Sequence, residues 1–273
     1  MNDGHASRLA DSLHEVGTGS IVVITGAGVS AASGISTFRG KEPNAIWNRN
    51  VTEMATRHFF ESDPVTSWTW YIERFSQAID ATPNPAHAAL VAIESWQRER
   101  GGDFLLVTQN IDTLHEQAGS VELVKVHGSI DRVRCTRTGC EHAAPRGTLP
   151  RQSFDFTALA GSGSSEDLPR CPTCDALVRP HVLWFDEYDG EHADYQFDRA
   201  RLAFASADCM LFAGTSLAVG VTELALHAGA GRGVPVLHIE PSLELDLPWV
   251  ERIAANAEDV LPEAAARLTA TRS

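Results

Sequence analysis

The run Ser20-Ile21-Val22-Val23-Ile24-Thr25 is almost continuously apolar, rich in β-branched residues, and stops at Gly26. A strand with one wet face alternates polar and apolar positions, whereas a strand covered on both faces does not. Similar runs recur at residues 104–107, 182–185, 209–213 and 234–239, with a shorter one at 122–126. Helical patterning lies between them. Leu9, Leu13 and Val16 share one helical face, Asn84 and Pro85 form an N-cap and a first helical position, and Ala89, Ile93 and Trp96 share the face that follows. Residues 194–205 and 261–268 also read as helices. Strands alternating with helices predict an α/β fold with a mainly parallel sheet, and such sheets bind ligands beyond the carboxyl ends of their strands.

Two segments break this rhythm. Residues 41–80 carry helical patterning without a clear strand, and residues 129–180 carry paired cysteines and the loop-like Gly161-Ser162-Gly163-Ser164-Ser165. Together they read as a smaller insert on the larger domain. With 22 basic and 36 acidic residues the net charge is −14. Such a surface repels nucleic acid, and no basic cluster offsets it, so no nucleic-acid partner is expected. No apolar run approaches the roughly 20 residues of a membrane helix, and residues 1–16 lack an apolar export core. A cytoplasmic location and no membrane partner are the corresponding expectations.

Four of the five cysteines fall in two pairs, Cys135-x4-Cys140 and Cys171-x2-Cys174, separated by 30 residues. Two knuckles of this spacing are the pattern of a closed, tetrahedral zinc site, which is structural because it leaves no coordination position for water. Cys209 sits in an apolar run and is expected in the core.

Gly26-Ala27-Gly28-Val29-Ser30 directly follows the first strand, with Gly34 further on. Glycines there permit close approach of a pyrophosphate, but the third glycine is displaced from the usual dinucleotide fingerprint, and a plain strand-to-helix turn fits as well. Thr37-Phe38-Arg39-Gly40 closes this stretch with an aromatic ring and a phosphate-pairing cation. Thr108-Gln109-Asn110-Ile111-Asp112-Thr113-Leu114-His115 follows a second strand, where it is either an active-site loop or a capped turn. His127-Gly128 follows the short strand. His127 is the candidate proton acceptor, and His115, within a helical turn, is its competitor.

The strings GAGVSAASGISTFRG, TQNIDTLHEQAG and His127-Gly128, together with the cysteine pairs, resemble sirtuins in the order that family presents them, over residues 26–261. The resemblance implies a Rossmann-like, mainly parallel sheet from residues 1–40, 81–128 and 181–273. A small domain would be made by a helical part, 41–80, and a zinc-ribbon part, 129–180. It implies NAD as a consumed cosubstrate, one structural Zn2+ and acyl-lysine proteins as partners. The expected products are nicotinamide, O-acyl-ADP-ribose and free lysine. His127 would be the general base. NAD would be held by Gly26, Ala27, Gly28, Ser30, Thr37, Phe38, Arg39 and Trp47 at one end, and by Gln109, Asn110, Ile111 and Asp112 around nicotinamide and its ribose. Gly214, Thr215, Ser216, His238, Ile239, Glu240 and Ala257 would hold the adenosine end. His238 stands where the family carries Asn, and Gly220 and Val221 stand near a missing family Pro.

Tyr71 and Arg74 are three residues apart, so on a helix they share a face. Alone, the pair reads as an aromatic packed on a core with an arginine at its edge. Within the resemblance it matches the Tyr-x-x-Arg of class III sirtuins, which remove succinyl, malonyl or glutaryl groups. An arginine fork and a phenol suit a terminal carboxylate and leave a neutral acetyl group without partners for that cation. Thr37, where many deacetylases carry Asp, points the same way. Val182, Trp184 and Phe185 resemble the family's substrate-pairing segment, where a peptide adds a strand. Asp186 stands where the family has Gly and is expected to favour basic flanks. The competing functions are ADP-ribosyl transfer or NAD hydrolysis on the same fold, and, in another class, a zinc-ribbon binding module. Sequence leaves the oligomeric state open.

Overall fold

The computed structural model describes residues 2–36, 51–217, 220–242 and 247–270. In chain order the larger sheet takes strands β1 (Ser20–Thr25), β2 (Asp103–Thr108) and β3 (Leu123–Lys125). Strands β4 (Gly128–Cys135), β5 (Leu149–Pro150) and β6 (Val178–Val182) form the smaller one. Strands β7 (Cys209–Ala213), β8 (Val236–Ile239) and β9 (Glu251–Ile253) return to the larger sheet. The helices are α1 (Asn2–Glu15), α2 (Val51–Met54), α3 (Arg57–Ser62), α4 (Pro64–Ile79), α5 (Pro85–Glu99), α6 (Leu114–Ala118), α7 (Thr157–Ser162), α8 (Phe197–Ser206), α9 (Gly220–Arg232) and α10 (Ala257–Ala270).

The six strands of the larger sheet run parallel in the order β3-β2-β1-β7-β8-β9. This is the doubly wound order of a Rossmann-like sheet, with the strand order reversing between β1 and β7. Side-chain alternation explains the continuous apolar runs. Ile21, Val23, Phe104, Leu106, Cys209 and Leu211 face a core shared with α1, α5 and α10. Val22, Ile24, Leu105, Val107, Met210 and Phe212 face a second core shared with α8 and α9. Both faces are dry, so no position in these strands can be polar without a buried partner. Asn84 caps α5 by a reciprocal capping box with His87 and also donates to Val29 O at 2.8 Å. It therefore ties the start of α5 to the loop after β1. Glu94 of α5, 2% exposed, accepts the N–H groups of Val121 and Glu122, which fixes the entry into β3.

The smaller sheet is antiparallel, in the order β5-β4-β6, and shares a third core with α3, α4 and α7. One expected strand moves here. Residues 182–185 read as a strand of the parallel sheet, but the strand is β6, it ends at Val182, and it pairs with β4. Pairing stops because the next three N–H groups leave the ladder: Leu183 donates to His127 O, Trp184 to the Glu187 carboxylate and Phe185 to Ala55 O. Among the described residues no helix is long and apolar enough to cross a membrane.

The reversal point is closed by glycines. A Cβ on Gly28 would lie 2.7 Å from Gly214 Cα, and one on Gly214 would lie 2.3 Å from Val29 N. Gly214 also holds φ +59°. Gly214→Ala is therefore expected to destabilise the protein by about 2–4 kcal/mol, through a backbone clash and left-handed strain together. Thermal unfolding checks it: a midpoint equal to wild type would show that the two loops do not abut.

Candidate functional site

Two loops and one strand junction converge at the carboxyl end of the parallel sheet. The loop after β1 forms the 3-10 turn Ala27–Ser33, the loop after β2 carries Gln109 to Asp112, and His127 lies between β3 and β4. Buried polar bonds join the first two. Ser30 Oγ donates to Asp112 Oδ2 at 2.9 Å and accepts from Asn110 Nδ2 at 3.0 Å. Asn110 Nδ2 also donates to Gly26 O at 3.1 Å, and Asp112 Oδ1 caps α6 through Leu114 N at 3.0 Å. Ser30, Asn110 and Asp112 are all buried, so these bonds are strong and their loss would orphan the remaining partners. Beneath them the Thr25 hydroxyl donates to Thr108 Oγ1, which accepts Asn110 N–H. Lys125 Nζ donates to the Asp112 carbonyl and to Ser129 Oγ. Thr25 and Lys125 escaped the sequence reading because each reads as an ordinary strand residue; only their position at the ends of adjacent strands marks them.

His127 is partly buried, and its Nδ1 lies 3.0 Å from Gln109 O. A carbonyl only accepts, so Nδ1 carries the proton and Nε2 keeps the lone pair of a base. Burial pushes the imidazole below its ordinary value, against the opposing pull of the Gln109 carbonyl and Asp189. His115 is placed differently. It is 1% exposed, its Nε2 lies 3.1 Å from Thr25 Oγ1, and its ring packs against His87 at 4.7 Å between centroids. Burial, with His87 and Lys125 nearby, lowers it to about 3. It braces the loop from inside.

Gln109 links this centre to the loop after β7, because its Nε2 donates to Thr215 Oγ1 at 3.1 Å. Gly28 N donates to Gly214 O at 2.8 Å. The glycines expected to make room for a pyrophosphate thus make room first for each other's loops. Ser216 is exposed there. Glu240, just after β8, is half-buried, and burial raises its carboxyl. Ile239 is buried and Ala257 starts α10. His238, expected to meet adenosine, is 0% exposed and donates from Nε2 to Thr215 O at 2.8 Å. It supports the loop from beneath, since its ring has no exposed edge for a ligand. Thr37, Phe38, Arg39 and Trp47 lie outside the described residues.

Tyr71 and Arg74 sit on α4, as expected. Tyr71 is 3% exposed and accepts the indole N–H of Trp184 at 2.7 Å, and burial raises the pKa of its phenol. Arg74 lies over the Trp70 ring, 4.4 Å from its centroid. Ile111 packs against the same core. The peptide-pairing expectation changes. Val182 and Trp184 are buried, Trp184 packing on Phe60, and only Phe185 is exposed. The N–H groups of residues 183–185 are all used inside the chain, so they offer nothing to an added strand. Asp186 is also reassigned: its carboxylate accepts Arg57 N and His58 N at 2.7 and 3.1 Å and caps α3. Next to it Glu187, unremarked in the sequence, is clasped by Arg57, Arg134 and Arg179. Burial alone would raise its carboxyl, but Arg179 and Arg134 hold it down to about 2. The clasp fixes Trp184, whose ring lies under the Arg179 guanidinium.

Cys135, Cys140, Cys171 and Cys174 converge, with all four Sγ atoms within 4.8 Å of one another. The closest pairs are Cys135–Cys174 at 3.5 Å and Cys140–Cys171 at 3.7 Å. A tetrahedral Zn2+ with bonds of about 2.3 Å separates its thiolates by about 3.8 Å, whereas a disulfide needs about 2.05 Å. The donor set fits structural zinc. Cys209 lies apart, buried in β7.

A polar centre at the strand-order reversal, a base on the adjoining turn and a four-thiolate ribbon match one family. The Sir2 family model matches residues 26–221. The chain belongs to the Sir2 family. A Thermus thermophilus NAD-dependent protein deacylase is 42% identical over 215 residues, covering 77% of this chain and 76% of its own. Pseudomonas aeruginosa NAD-dependent protein deacylase 1 is 38% identical over 252 residues, covering 89% and 92%. The crystal structure of a Sir2 homolog–NAD complex superposes with TM-score 0.77 at 33% identity, covering 98% of this chain and 95% of that one.

Stripping zinc with a strong chelator is expected to lower the unfolding midpoint, because zinc binding is part of the folding free energy of such ribbons. Cys174→Ser should lose the metal, and Cys209→Ser should keep it. Metal analysis alongside thermal unfolding would contradict this if Cys174→Ser retained a full equivalent of tightly bound zinc.

Proposed function

We propose that this enzyme is an NAD-dependent protein-lysine deacylase that favours acyl groups ending in a carboxylate. Deacylation is the function that family membership and the site support together, and the geometry of His127 carries it. A neutral imidazole with its lone pair on Nε2, set by a backbone carbonyl at the carboxyl end of the sheet, is a base ready to accept a proton. Bound NAD supplies the ADP-ribosyl group that takes up the acyl chain, with nicotinamide as the leaving group.

The residues present fit a dinucleotide. The strand order reverses between β1 and β7, and the loops after both strands meet there with hydroxyl donors at Thr215 and Ser216. Ser30, Asn110 and Asp112 hold the loop walls and would flank the nicotinamide end. Gln109 spans from that end to Thr215, so one side chain sets the distance between the two halves. The Asp112 carboxylate is already engaged by Ser30 and Leu114, so it acts through a fixed orientation.

The preference for succinyl, malonyl or glutaryl over acetyl rests on Tyr71 and Arg74. The indole N–H of Trp184 occupies an acceptor site on the Tyr71 oxygen, and burial keeps the phenol protonated. Tyr71 is thereby left with its own O–H to give, which suits a carboxylate. Arg74 brings a positive charge one helical turn away. A terminal carboxylate would meet that charge with its own, whereas a neutral acetyl group would not, so the acetyl substrate gains less.

Two outcomes test these readings separately. His127→Ala should lower kcat/KM by about 10²–10⁴-fold on every acyl peptide. Because burial depresses His127, the acid limb of kcat/KM should fall below the ordinary imidazole value of about 6.5: activity persists as pH drops through that value and fails only below it. Arg74→Met should cut the preference for succinyl- over acetyl-lysine by roughly 10–100-fold. Equal selectivity before and after that change would refute the acyl preference while leaving deacylation standing. Nicotinamide release without any peptide, at the rate seen with one, would instead favour NAD hydrolysis.

A further inference from the structure

Tyr71 and Arg74 share α4 with a third side chain that touches both. Trp70 precedes Arg74 by four residues, a spacing that sets side chains one above the other on a helical face. The Arg74 guanidinium lies over the indole, 4.4 Å from its centroid. The Tyr71 ring meets the same indole nearly at right angles, with centroids 4.7 Å apart and planes at 84°. Trp70 is partly buried against the core of the smaller sheet, and Ile111 of the loop after β2 packs on that same core.

The polar end of the indole shows how the residue is used. The N–H groups of Trp68 and Trp184 both find acceptors, Val178 O at 3.0 Å and the Tyr71 phenol at 2.7 Å. The Trp70 N–H is buried too, with no hydrogen-bond partner among the described residues. A buried donor left unmade is unfavourable, and phenylalanine at this position would avoid it. What tryptophan offers in return is the ring face that attracts a cation most strongly.

We propose that Trp70 is a positioning residue for acyl selectivity, its ring holding the Arg74 guanidinium where it meets the terminal carboxylate of the acyl group. This rests on the reading that Arg74 confers the acidic-acyl preference. An arginine side chain has many rotamers, and binding a carboxylate with it loses that freedom. A rigid indole beneath the cation removes part of the freedom beforehand, so the substrate bears less of the loss. Cation–π attraction acts on the charge and consumes no N–H donor, so it restrains the fork without occupying it. Tyr71 depends on Trp70 less, because the Trp184 indole N–H and the Phe75 ring, 5.1 Å away, hold it from the core side.

The test compares kcat and KM for succinyl-lysine and acetyl-lysine peptides at saturating NAD. Trp70→Leu should lower the succinyl-to-acetyl ratio of kcat/KM by about 3–20-fold, the span of cation–π attraction, with the loss in KM for the succinyl peptide. Trp70→Phe keeps a ring under the cation and should retain most of the ratio. In an Arg74→Met background, Trp70→Leu should change the ratio by less than about 2-fold, because a residue that acts through Arg74 has nothing left to act on. Should Trp70→Leu fail to fold, Trp70→Met, closer in volume, takes its place in both backgrounds. The inference falls if Trp70→Leu keeps the wild-type ratio, if Trp70→Phe loses as much as Trp70→Leu, or if kcat drops equally on both peptides, the mark of a merely structural role. An Arg74→Met enzyme with the wild-type ratio would instead remove the acyl reading on which the inference stands.

Discussion

Backbone meets backbone where the strand order turns back on itself, and the rest of the centre is built outward from that contact. Gly28 and Gly214 approach so closely that neither can carry a Cβ. The contact brings the loop after β1 against the loop after β7, and Gln109 then bridges to Thr215 across the gap. A sheet of this topology always leaves a crevice at its reversal point. In this chain the crevice has fixed walls because small residues let the two loops lock by a direct N–H to carbonyl bond. His238 completes the lock from below by holding the Thr215 carbonyl.

The smaller lobe is secured by different physics. Its core is rich in aromatic rings, and two polar devices supplement it: the thiolate cluster and the Glu187 clasp. A carboxylate with 1% of its side chain exposed, facing Arg134 and Arg179 that are nearly as buried, is tolerable only because every partner is present. Removing one would strand a charge. The clasp also has a local consequence for the acyl-binding proposal. It holds Trp184 by its backbone N–H and under the Arg179 guanidinium, and Trp184 in turn holds the Tyr71 phenol. The orientation of Tyr71 therefore depends on an ion cluster that the substrate does not need to touch.

Much of this was legible in the amino-acid sequence, for identifiable reasons. Residues 20–25 and 209–213 announced doubly covered strands because burial on both faces forbids alternation. Asn84-Pro85 announced a helix start because the N-cap chemistry is local. The cysteine pairs announced their cluster because knuckle spacing is itself geometric. What escaped was the use of residues whose partners are remote in sequence. Trp184 read as a residue contacting peptide and proved to be core; nothing within 182–185 tells that Glu187, Ala55 and His127 take its neighbours' N–H groups. Asp186 read as an electrostatic lure and proved to be the cap of a helix that begins more than a hundred positions earlier. His238 occupied the expected place in the sequence, yet strand alternation turned it inward.

The state of His127 follows from the same frame. A carboxylate behind the imidazole would hold its tautomer but would also raise its pKa, favouring the charged ring. Here a backbone carbonyl does the holding, so the tautomer is fixed with only partial charge behind it, while burial acts in the opposite direction. The resting ring is neutral with its lone pair on Nε2. That carbonyl belongs to Gln109, whose own N–H is fixed to Thr25 O and whose side chain is fixed to Thr215. The protonation form of the base is thus tied to β1, to β2 and to the loop after β7 at once. A disturbance at the glycine contact would reach the imidazole through Gln109 without any change near His127 itself.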